Sequence, residues 1–384
     1  FAGIDSFPLM AIPFFILAAE LMTGGALTEV LLRFASQLVG HVRGGLGHTN
    51  VLTLTFFSGI SGSALADVAG PGAMLIRMMR KAGYPAEYAA ALTAATAIVG
   101  PIIPPSIIMI VYALTEPSVS IMGLFLAGVI PGLMITGSLL IVNHAISVKR
   151  DYRSEAVRPG AREIAVSFVR ALPALALPLI IMGGIHFGVF TPTEASAAAV
   201  FYALIVGRFL YGTLRFEMLP TILFRTALLT ASILMVIATS EVFGWVLTVG
   251  QVPQTVAQWI AGFQLGQIEL LLLINVFLLL AGIFIEPLPG VMVLVPILAP
   301  LAAAVGIDPI HFAMVVIYNL TLGMITPPVG GLLFVTSVVA RVPVGELTSE
   351  LKPFLIAHLV VLVILILVPG LSTWLPAASG MAGR

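Results

Sequence analysis

Two proline-containing interruptions of long apolar runs constrain this chain more than any other feature. The first, GPIIPP, lies at residues 100–105, and the second, GMITPP, lies at 323–328. Because proline has no backbone N–H, Pro104 and Pro327 each leave the carbonyl four residues earlier without its helical donor. In lipid, a freed carbonyl is tolerated only where it is buried in protein or lines a cavity. Both stretches are therefore predicted to be broken membrane helices that line a site.

A second feature is internal similarity. The offset of 223 residues that aligns the two interruptions also aligns Gly59 with Gly282 and Gly83 with Gly306. This match predicts two structural repeats. Two helices of the second repeat have no counterpart in the first, so we expect the first repeat to be incomplete at its N-terminus. The predicted division is a first repeat at 1–147, a cytoplasmic linker at 148–163, a second repeat at 164–374 and a tail at 375–384.

Composition indicates that the solvent of this chain is a lipid bilayer. Its 384 residues are 60% hydrophobic and only 9% charged, whereas soluble domains carry about 25% charged residues. The formal net charge is zero and the chain has no cysteine, so neither nucleic-acid binding nor a thiolate metal site is indicated. A Walker nucleotide motif is also absent from the sequence. We predict an all-α, polytopic membrane protein that does not itself use ATP.

Each repeat also contains a predicted helical hairpin that turns within the membrane. In the first, the apolar leg before Ser61-Gly62-Ser63 covers roughly 15–20 Å, which is too short for a hydrocarbon core of ~30 Å. Such a leg is typical of a re-entrant hairpin. Amphipathic helices at 26–41 and 254–264 are expected to lie along the membrane surface. The other predicted elements are a first hairpin at 48–82, a first broken helix at 86–115, a second hairpin at 267–304, a second broken helix at 309–340 and a last span at 352–374.

The distribution of basic residues predicts opposite orientations for the two repeats. Arg43 precedes the first hairpin, and three basic residues follow its turn within 77–81. By the positive-inside rule, this hairpin enters the membrane from the cytoplasm. No lysine or arginine occurs between Arg225 and Arg341, so the second hairpin is expected to enter from outside. The repeats are therefore predicted to have inverted topology.

The chemistry of a broken helix suits ions of both signs. The carbonyls that end its first half favour a hard monovalent cation such as Na⁺, and the N–H groups that begin its second half favour a carboxylate. We expect each hairpin tip to face the break of its own repeat. No lysine or arginine lies in the core of a hairpin or broken helix. An anionic substrate would therefore be bound by helix dipoles, hydroxyls and bound Na⁺.

Other interpretations of the same residues are open. The prolines could only kink packed helices. Asp67 is interpreted as stabilising a helix N-terminus rather than contacting a ligand, and Glu286 could do the same. Glu20 and Glu241 occupy similar places in the repeats and could anchor the hairpins by hydrogen bonds. The GxSG sequence at 59–62 also occurs in rhomboid intramembrane proteases, but this short pattern is weak and does not explain the matched second half.

At these residues the chain resembles the large membrane subunit, DctM, of tripartite ATP-independent periplasmic (TRAP) transporters. The resemblance covers nearly the whole chain. It rests on FFSGISGSALAD at 56–67, GPGAM at 70–74, GYPAEYAAALTAATAIVGPIIPPS at 83–106, IEPLPGVMVLVPILAPLA at 285–302, GIDPIHF at 306–312 and NLTLGMITPPVG at 319–330.

The resemblance implies a transporter subunit rather than an enzyme. It implies Na⁺-coupled import of a small organic anion across the bacterial inner membrane, where the anion is a C4-dicarboxylate, sialic acid, another sugar acid or a keto acid. The implied partners are a small four-helix membrane subunit and a periplasmic substrate-binding protein. The implied mechanism is an elevator, in which the hairpins and broken helices slide against the remaining helices.

The matching motifs also imply the residues of the site. To Na⁺ binding we assign Ser58, Gly59, Ser61, Gly100, Gly282, Glu286, Gly323 and Thr326. To substrate binding we assign Ser61, Gly62, Ser63, Pro104, Ser106, Thr326 and Pro327. Two alternative functions stay open: a Na⁺/carboxylate symporter of similar inverted architecture that works without a binding protein, and an intramembrane serine protease.

Overall fold

The structure, a computed structural model, is helical throughout the part of the chain that it describes, with no strand there. It describes residues 7–22, 25–154, 156–212, 214–251, 255 and 265–381. The α-helices described before the linker are α1 (Ala11–Met22), α2 (Gly25–Val39), α3 (Gly45–Ser61), α4 (Ala64–Asp67), α5 (Ala73–Lys81), α6 (Ala86–Ala97), α7 (Ile107–Thr115) and α8 (Ile121–Lys149). The described helices that follow it are α9 (Ala161–His186), α10 (Pro192–Ile205), α11 (Leu219–Val249), α12 (Gln267–Gly282), α13 (Pro287–Ala304), α14 (Pro309–Gly323), α15 (Gly331–Ala340), α16 (Val344–Leu367) and α17 (Gly370–Ala378).

Six helices among the described residues are long and apolar enough to cross a bilayer. They are α8, α9, α10 with its π-helical extension to Leu210, α11, α13 and α16. Helices α1 and α2 are bent by 72° relative to each other and would add a seventh span if they were counted as one. The bend also fits an amphipathic α2 that lies along the membrane surface. The second amphipathic helix, predicted at 254–264, falls outside the described residues except for residue 255.

The first hairpin consists of α3, a turn at Gly62 and Ser63, and a second leg in which a π-helical segment joins α4 to α5. Helix α3 begins at Gly45, three residues before the predicted start of the hairpin. This first turn packs closely against α8: a Cβ on Gly47 would lie 2.1 Å from Asn143 Oδ1, so glycine lets the two helices approach. At the turn, Gly62 has φ 58° and its N–H donates to Ser58 O at 3.1 Å, which ends α3.

Both broken helices are interrupted at their prolines. The first break separates α6 from α7, and the second separates α14 from α15. Each hairpin is tied to its own broken helix by an asparagine. Asn50 Nδ2 donates to Thr93 Oγ1 at 2.8 Å, and Asn319 Nδ2 donates to Asn275 Oδ1 at 2.6 Å. Because these side chains are buried, their hydrogen bonds hold each hairpin against its break.

The helices pack as two groups. In one, α1 packs against α10 and α11, and α2 packs against α9 while its other side packs against α3 of the first hairpin. In the other, α8 and α16 pack with the broken helices, although the sequence placed both outside that group. Two polar contacts explain the difference: Tyr88 on α6 donates to the buried Asn143 on α8 at 2.7 Å, and Arg150, just after α8, forms a partly exposed ion pair with Glu350 on α16 at 2.8 Å. Hydrophobic patterns do not reveal such pairs.

The C-terminal part differs from the single span predicted at 352–374. The structure has two helices, α16 and α17, separated at Val368 and Pro369. The residue before a proline is disfavoured in α-helical geometry, and Val368 has φ −125° and ψ 80°. Helix α16 also begins at Val344, eight residues before the predicted start at 352. These extra N-terminal turns carry charged residues, and one of them, Glu350, pairs with Arg150.

Candidate functional site

Each hairpin tip contacts the break that follows it in the chain so closely that only glycine fits. At the first break, a Cβ built on Gly62 would lie 2.6 Å from Pro105 O, and one built on Gly100 would lie 3.2 Å from the carbonyl carbon of Ser63. At the second break, a Cβ on Gly323 would lie 2.4 Å from the carbonyl carbon and oxygen of Gly282. The backbone of the tips and the backbone of the breaks, uncovered by side chains at these glycines, therefore meet at two places.

A buried carboxylate lies at the first of these places. Asp67, on the second leg of the first hairpin, is 0% exposed. Ser61 donates its hydroxyl hydrogen to Asp67 Oδ1, and Ser58 Oγ lies 3.1 Å from Oδ2. A Cβ on Gly100 would lie only 2.7 Å from Oδ2. The carboxylate thus faces the backbone of the first break across a gap that no side chain fills.

The Asp67 carboxylate has few hydrogen-bond donors and no ion-pair partner among the described residues. The Ser58 hydroxyl has one hydrogen but two acceptors, because Leu54 O lies 2.7 Å from the same oxygen. Within the part of the chain that the structure describes, no basic side chain forms an ion pair with Asp67. Burying an unpaired charge is costly. The arrangement therefore favours a cation beside Asp67.

A cavity of about 260 Å³ opens between the two hairpin tips and the other helix group. It is lined by Ser61, Gly62 and Ser63 from the first tip, and by Glu286, Pro287 and Leu288 from the second. Helices α1 and α11 complete it with Glu20 and Ser232 among other residues. No lysine or arginine is among the described residues that line it.

Three helix N-termini open towards this cavity. Helix α4 begins after Ser63, whose side chain accepts from Ala66 N at 3.4 Å. Helix α7 begins at Ile107, and α13 begins at Pro287, and both residues line the cavity. In α13 the first and third residues, Pro287 and Pro289, have no N–H, so Leu288 is the donor of its first three residues. Helix N-termini carry partial positive charge and free N–H groups. These N–H groups are donors that a carboxylate could accept from, in a cavity whose described lining also contains the acids Glu20 and Glu286.

The other predicted site residues are distributed around the two breaks. Glu286 lines the cavity together with Ser61, Gly62 and Ser63, whereas Pro104, Ser106, Thr326 and Pro327 are not among its lining residues. Ser106 donates to Pro101 O at 2.6 Å and caps α7. Thr326 donates to Leu322 O at 2.9 Å. Both hydroxyls keep lone pairs for a ligand, and their assigned roles in binding stay predictions.

Asp67 is the residue that sequence reasoning passed over. It was interpreted as a helix-capping acid, but its side chain faces the first break and accepts from two serines. An acidic residue inside a membrane segment is a functional candidate by default. That rule, applied to the FFSGISGSALAD stretch, could have included Asp67 among the site residues.

Comparison with known proteins agrees with this architecture. The family model described as "Tripartite ATP-independent periplasmic transporter, DctM component" matches residues 1–371. The chain is 42% identical over 97% of its length to the sialic acid TRAP transporter large permease protein SiaM of Vibrio cholerae, 87% of which is covered. It is 40% identical over 98% of its length to the C4-dicarboxylate TRAP transporter large permease protein DctM of Pseudomonas aeruginosa, 88% of which is covered.

A solved structure shares the fold. The crystal structure of the YdaH transporter of Alcanivorax borkumensis matches with a TM-score of 0.66, covering 96% of this chain and 85% of that chain, at 16% identity. At that identity the match shows the fold alone, while the family match rests on residues 1–371. The chain therefore belongs to the DctM component family of tripartite ATP-independent periplasmic transporters, which are transporter subunits and not enzymes.

Proposed function

We propose that this chain imports a small organic acid by Na⁺-coupled secondary transport across the bacterial inner membrane. Its relatives are named for sialic acid and C4-dicarboxylates, which supports a carboxylate substrate of that kind. The family name supports two partners, a small four-helix membrane subunit and a periplasmic substrate-binding protein that delivers the substrate.

The observation that carries Na⁺ coupling is the buried Asp67 carboxylate at the first break. One carboxylate with neutral oxygens around it suits a cation of single charge. The residues that would hold this ion are Ser58, Ser61 and Asp67, together with the backbone of Gly59 and Gly100. A second Na⁺ would be held at the contact of Gly282 with Gly323, near Glu286 and Thr326. Bound Na⁺ would supply the positive charge that the cavity lacks for an anionic substrate.

The substrate carboxylate would lie at the helix N-termini that open into the cavity. This placement uses N–H donors that the helices leave free. The cavity walls from α1 and α11 belong to the other helix group, so the substrate would be held between the two groups. Release on the other side of the membrane then requires one group to move relative to the other.

Inverted repeats and an elevator mechanism complete the proposal. The charge distribution supports opposite insertion of the two hairpins. The packing supports a moving body that contains α8 and α16 as well as the hairpins and broken helices, because buried hydrogen bonds join them. The other group, which includes α1, α9, α10 and α11, would stay fixed in the membrane.

Na⁺ should stabilise the purified protein where K⁺ does not. A ligand that binds only the folded state raises its stability by RT ln(1 + [L]/Kd), about 2.7 kcal/mol at 100 times Kd. We expect the melting temperature in detergent to rise with NaCl and to stay constant with KCl at equal ionic strength. In proteoliposomes containing the small subunit, uptake of sialic acid or succinate should require Na⁺ and the binding protein. Equal melting curves in the two salts would refute Na⁺ coupling, and uptake without the binding protein would favour the simpler symporter.

A disulfide between the two helix groups should stop transport. A Cβ built on Gly59 lies 3.7 Å from Pro178 Cβ on α9, within the 3.5–4.5 Å range of disulfides. The chain has no cysteine of its own, so the pair Gly59→Cys and Pro178→Cys would react alone. We expect oxidation to reduce uptake to background and dithiothreitol to restore it.

The matched controls for this experiment are the two single-cysteine variants under the same oxidant. Neither can form the bond, so both should transport at the level of the reduced double variant. Undiminished uptake in a preparation that mass spectrometry shows to be fully cross-linked would contradict movement between the hairpin tip and α9.

A further inference from the structure

A buried histidine joins the two broken helices at corresponding positions. His358, on α16, is 0% exposed. Its Nε2 lies 3.0 Å from the carbonyl oxygen of Ala95 on α6, and its Nδ1 lies 3.0 Å from the hydroxyl of Tyr318 on α14. Ala95 and Tyr318 are 223 residues apart, the same offset that aligns the two breaks. Each stands five residues before the glycine of its break.

The contact with α6 supplies a hydrogen-bond donor to a backbone carbonyl that has none within its helix. In a regular α-helix, Ala95 O would accept from the N–H of Val99. Here Val99 N donates to Thr96 O at 3.0 Å, because the chain tightens where the break begins. The Ala95 carbonyl therefore depends on another donor in an apolar interior. Since a carbonyl only accepts, His358 Nε2 carries a hydrogen and donates it.

The donor and acceptor roles in the contact with α14 follow from the same tautomer of His358. In the neutral ring, Nδ1 is then an acceptor, and the Tyr318 hydroxyl donates to it. The same hydroxyl also lies 3.0 Å from the backbone oxygen of His358. Tyr318 is 0% exposed, so its hydroxyl is held by this one residue. A shift of α6 relative to α14 would leave two or more buried polar groups without partners, which the interior disfavours.

From this geometry we propose that His358 and Tyr318 are positioning residues that couple the two breaks, so that Na⁺ binding at one favours Na⁺ binding at the other. The inference rests on the proposed binding of Na⁺ at both breaks. A cation that orders the first break fixes the end of α6, and through His358 it fixes α14 in the arrangement that the second break needs. Coupling between two sites of this kind changes affinity by roughly 5- to 150-fold.

The experiment is a ²²Na⁺ binding isotherm of the full-length protein purified with its small subunit. For the unmodified chain we expect a Hill coefficient clearly above 1. Tyr318→Phe removes one hydroxyl and keeps the ring, and His358→Leu removes both hydrogen bonds. In both variants the Hill coefficient should fall towards 1, and the Na⁺ concentration for half-saturation should rise about fivefold or more. His358→Gln can still donate to Ala95 O, so it should recover part of the affinity.

The matched control is His311→Leu. His311 is a second buried histidine of the same helix group, on α14, and its Nδ1 lies 2.9 Å from Ser372 Oγ on α17. This hydrogen bond does not connect the two broken helices. His311→Leu should therefore lower the stability of the protein as the loss of any buried hydrogen bond does, but its Hill coefficient for Na⁺ should stay above 1. If His358→Leu does not fold, Tyr318→Phe carries the test.

The outcomes separate the two levels of the proposal. Absence of saturable ²²Na⁺ binding to the unmodified chain would overturn the proposed function itself. Binding with a Hill coefficient of 1 in the unmodified chain, or unchanged cooperativity in Tyr318→Phe, would overturn the coupling role while leaving Na⁺ transport intact.

Discussion

Asp67→Asn should abolish Na⁺-dependent stabilisation and uptake. The substitution keeps the size of the side chain and one of its two acceptor oxygens, puts an NH₂ group in place of the other, and removes the negative charge at the first break. Removing one partner from a buried charge pair costs about 3–5 kcal/mol, which is more than about 100-fold in affinity. We expect the melting temperature of the variant to be the same in NaCl and KCl. We also expect its uptake to be at background.

Asp308→Asn is the matched control for the same chemical change. Asp308 caps α14, where its Oδ1 accepts from the backbone N–H of Ile310 and His311 at 2.9 and 3.0 Å. Asparagine caps helices about as well as aspartate, so Na⁺ stabilisation should persist. An Asp67→Asn protein with normal Na⁺ dependence would show that Asp67 is only a structural acid of the hairpin.

The membrane architecture was predictable because lipid restricts the backbone so strongly. A chain that cannot leave carbonyls unsatisfied in hydrocarbon can place GPIIPP and GMITPP only at breaks buried in protein. The structure has its two breaks at these prolines, between α6 and α7 and between α14 and α15. These features depend on local chemistry and length, which a single sequence carries.

Side-chain partnerships were less predictable, because they depend on which helices meet. Nothing in the pattern around Tyr88 indicates that its hydroxyl bonds to Asn143, and so the packing of α8 against the broken helices was not predicted. The surroundings of Asp67 were unpredictable for the same reason: a helix-capping acid and a ligand-binding acid have the same position in sequence. Only their surroundings in three dimensions distinguish them, here two serine hydroxyls and the bare backbone of Gly100.

Gly323→Ala should separate the second hairpin from its break. The new Cβ would lie 2.4 Å from the carbonyl carbon and oxygen of Gly282 and 2.6 Å from its Cα. These are backbone atoms, so no side chain can rotate away, and either α12 or the end of α14 must shift. Overpacking of this kind costs typically about 1–3 kcal/mol. We therefore expect a lower melting temperature and a loss of most Na⁺-dependent uptake.

Gly137→Ala provides the comparison, because it makes the same change in the middle of α8. A Cβ on Gly137 would have no atom within 4 Å outside its own stretch of helix, and alanine favours the helix by about 1 kcal/mol over glycine. Its melting temperature should be equal to or above that of the unmodified chain, with normal uptake. If Gly323→Ala lowers the melting temperature but retains full Na⁺ dependence, the backbone contact stabilises the fold without forming the second cation site. If it loses Na⁺ dependence while still purifying as a folded complex, the contact of Gly282 with Gly323 is part of the site, since the two variants differ only in what the added methyl group meets.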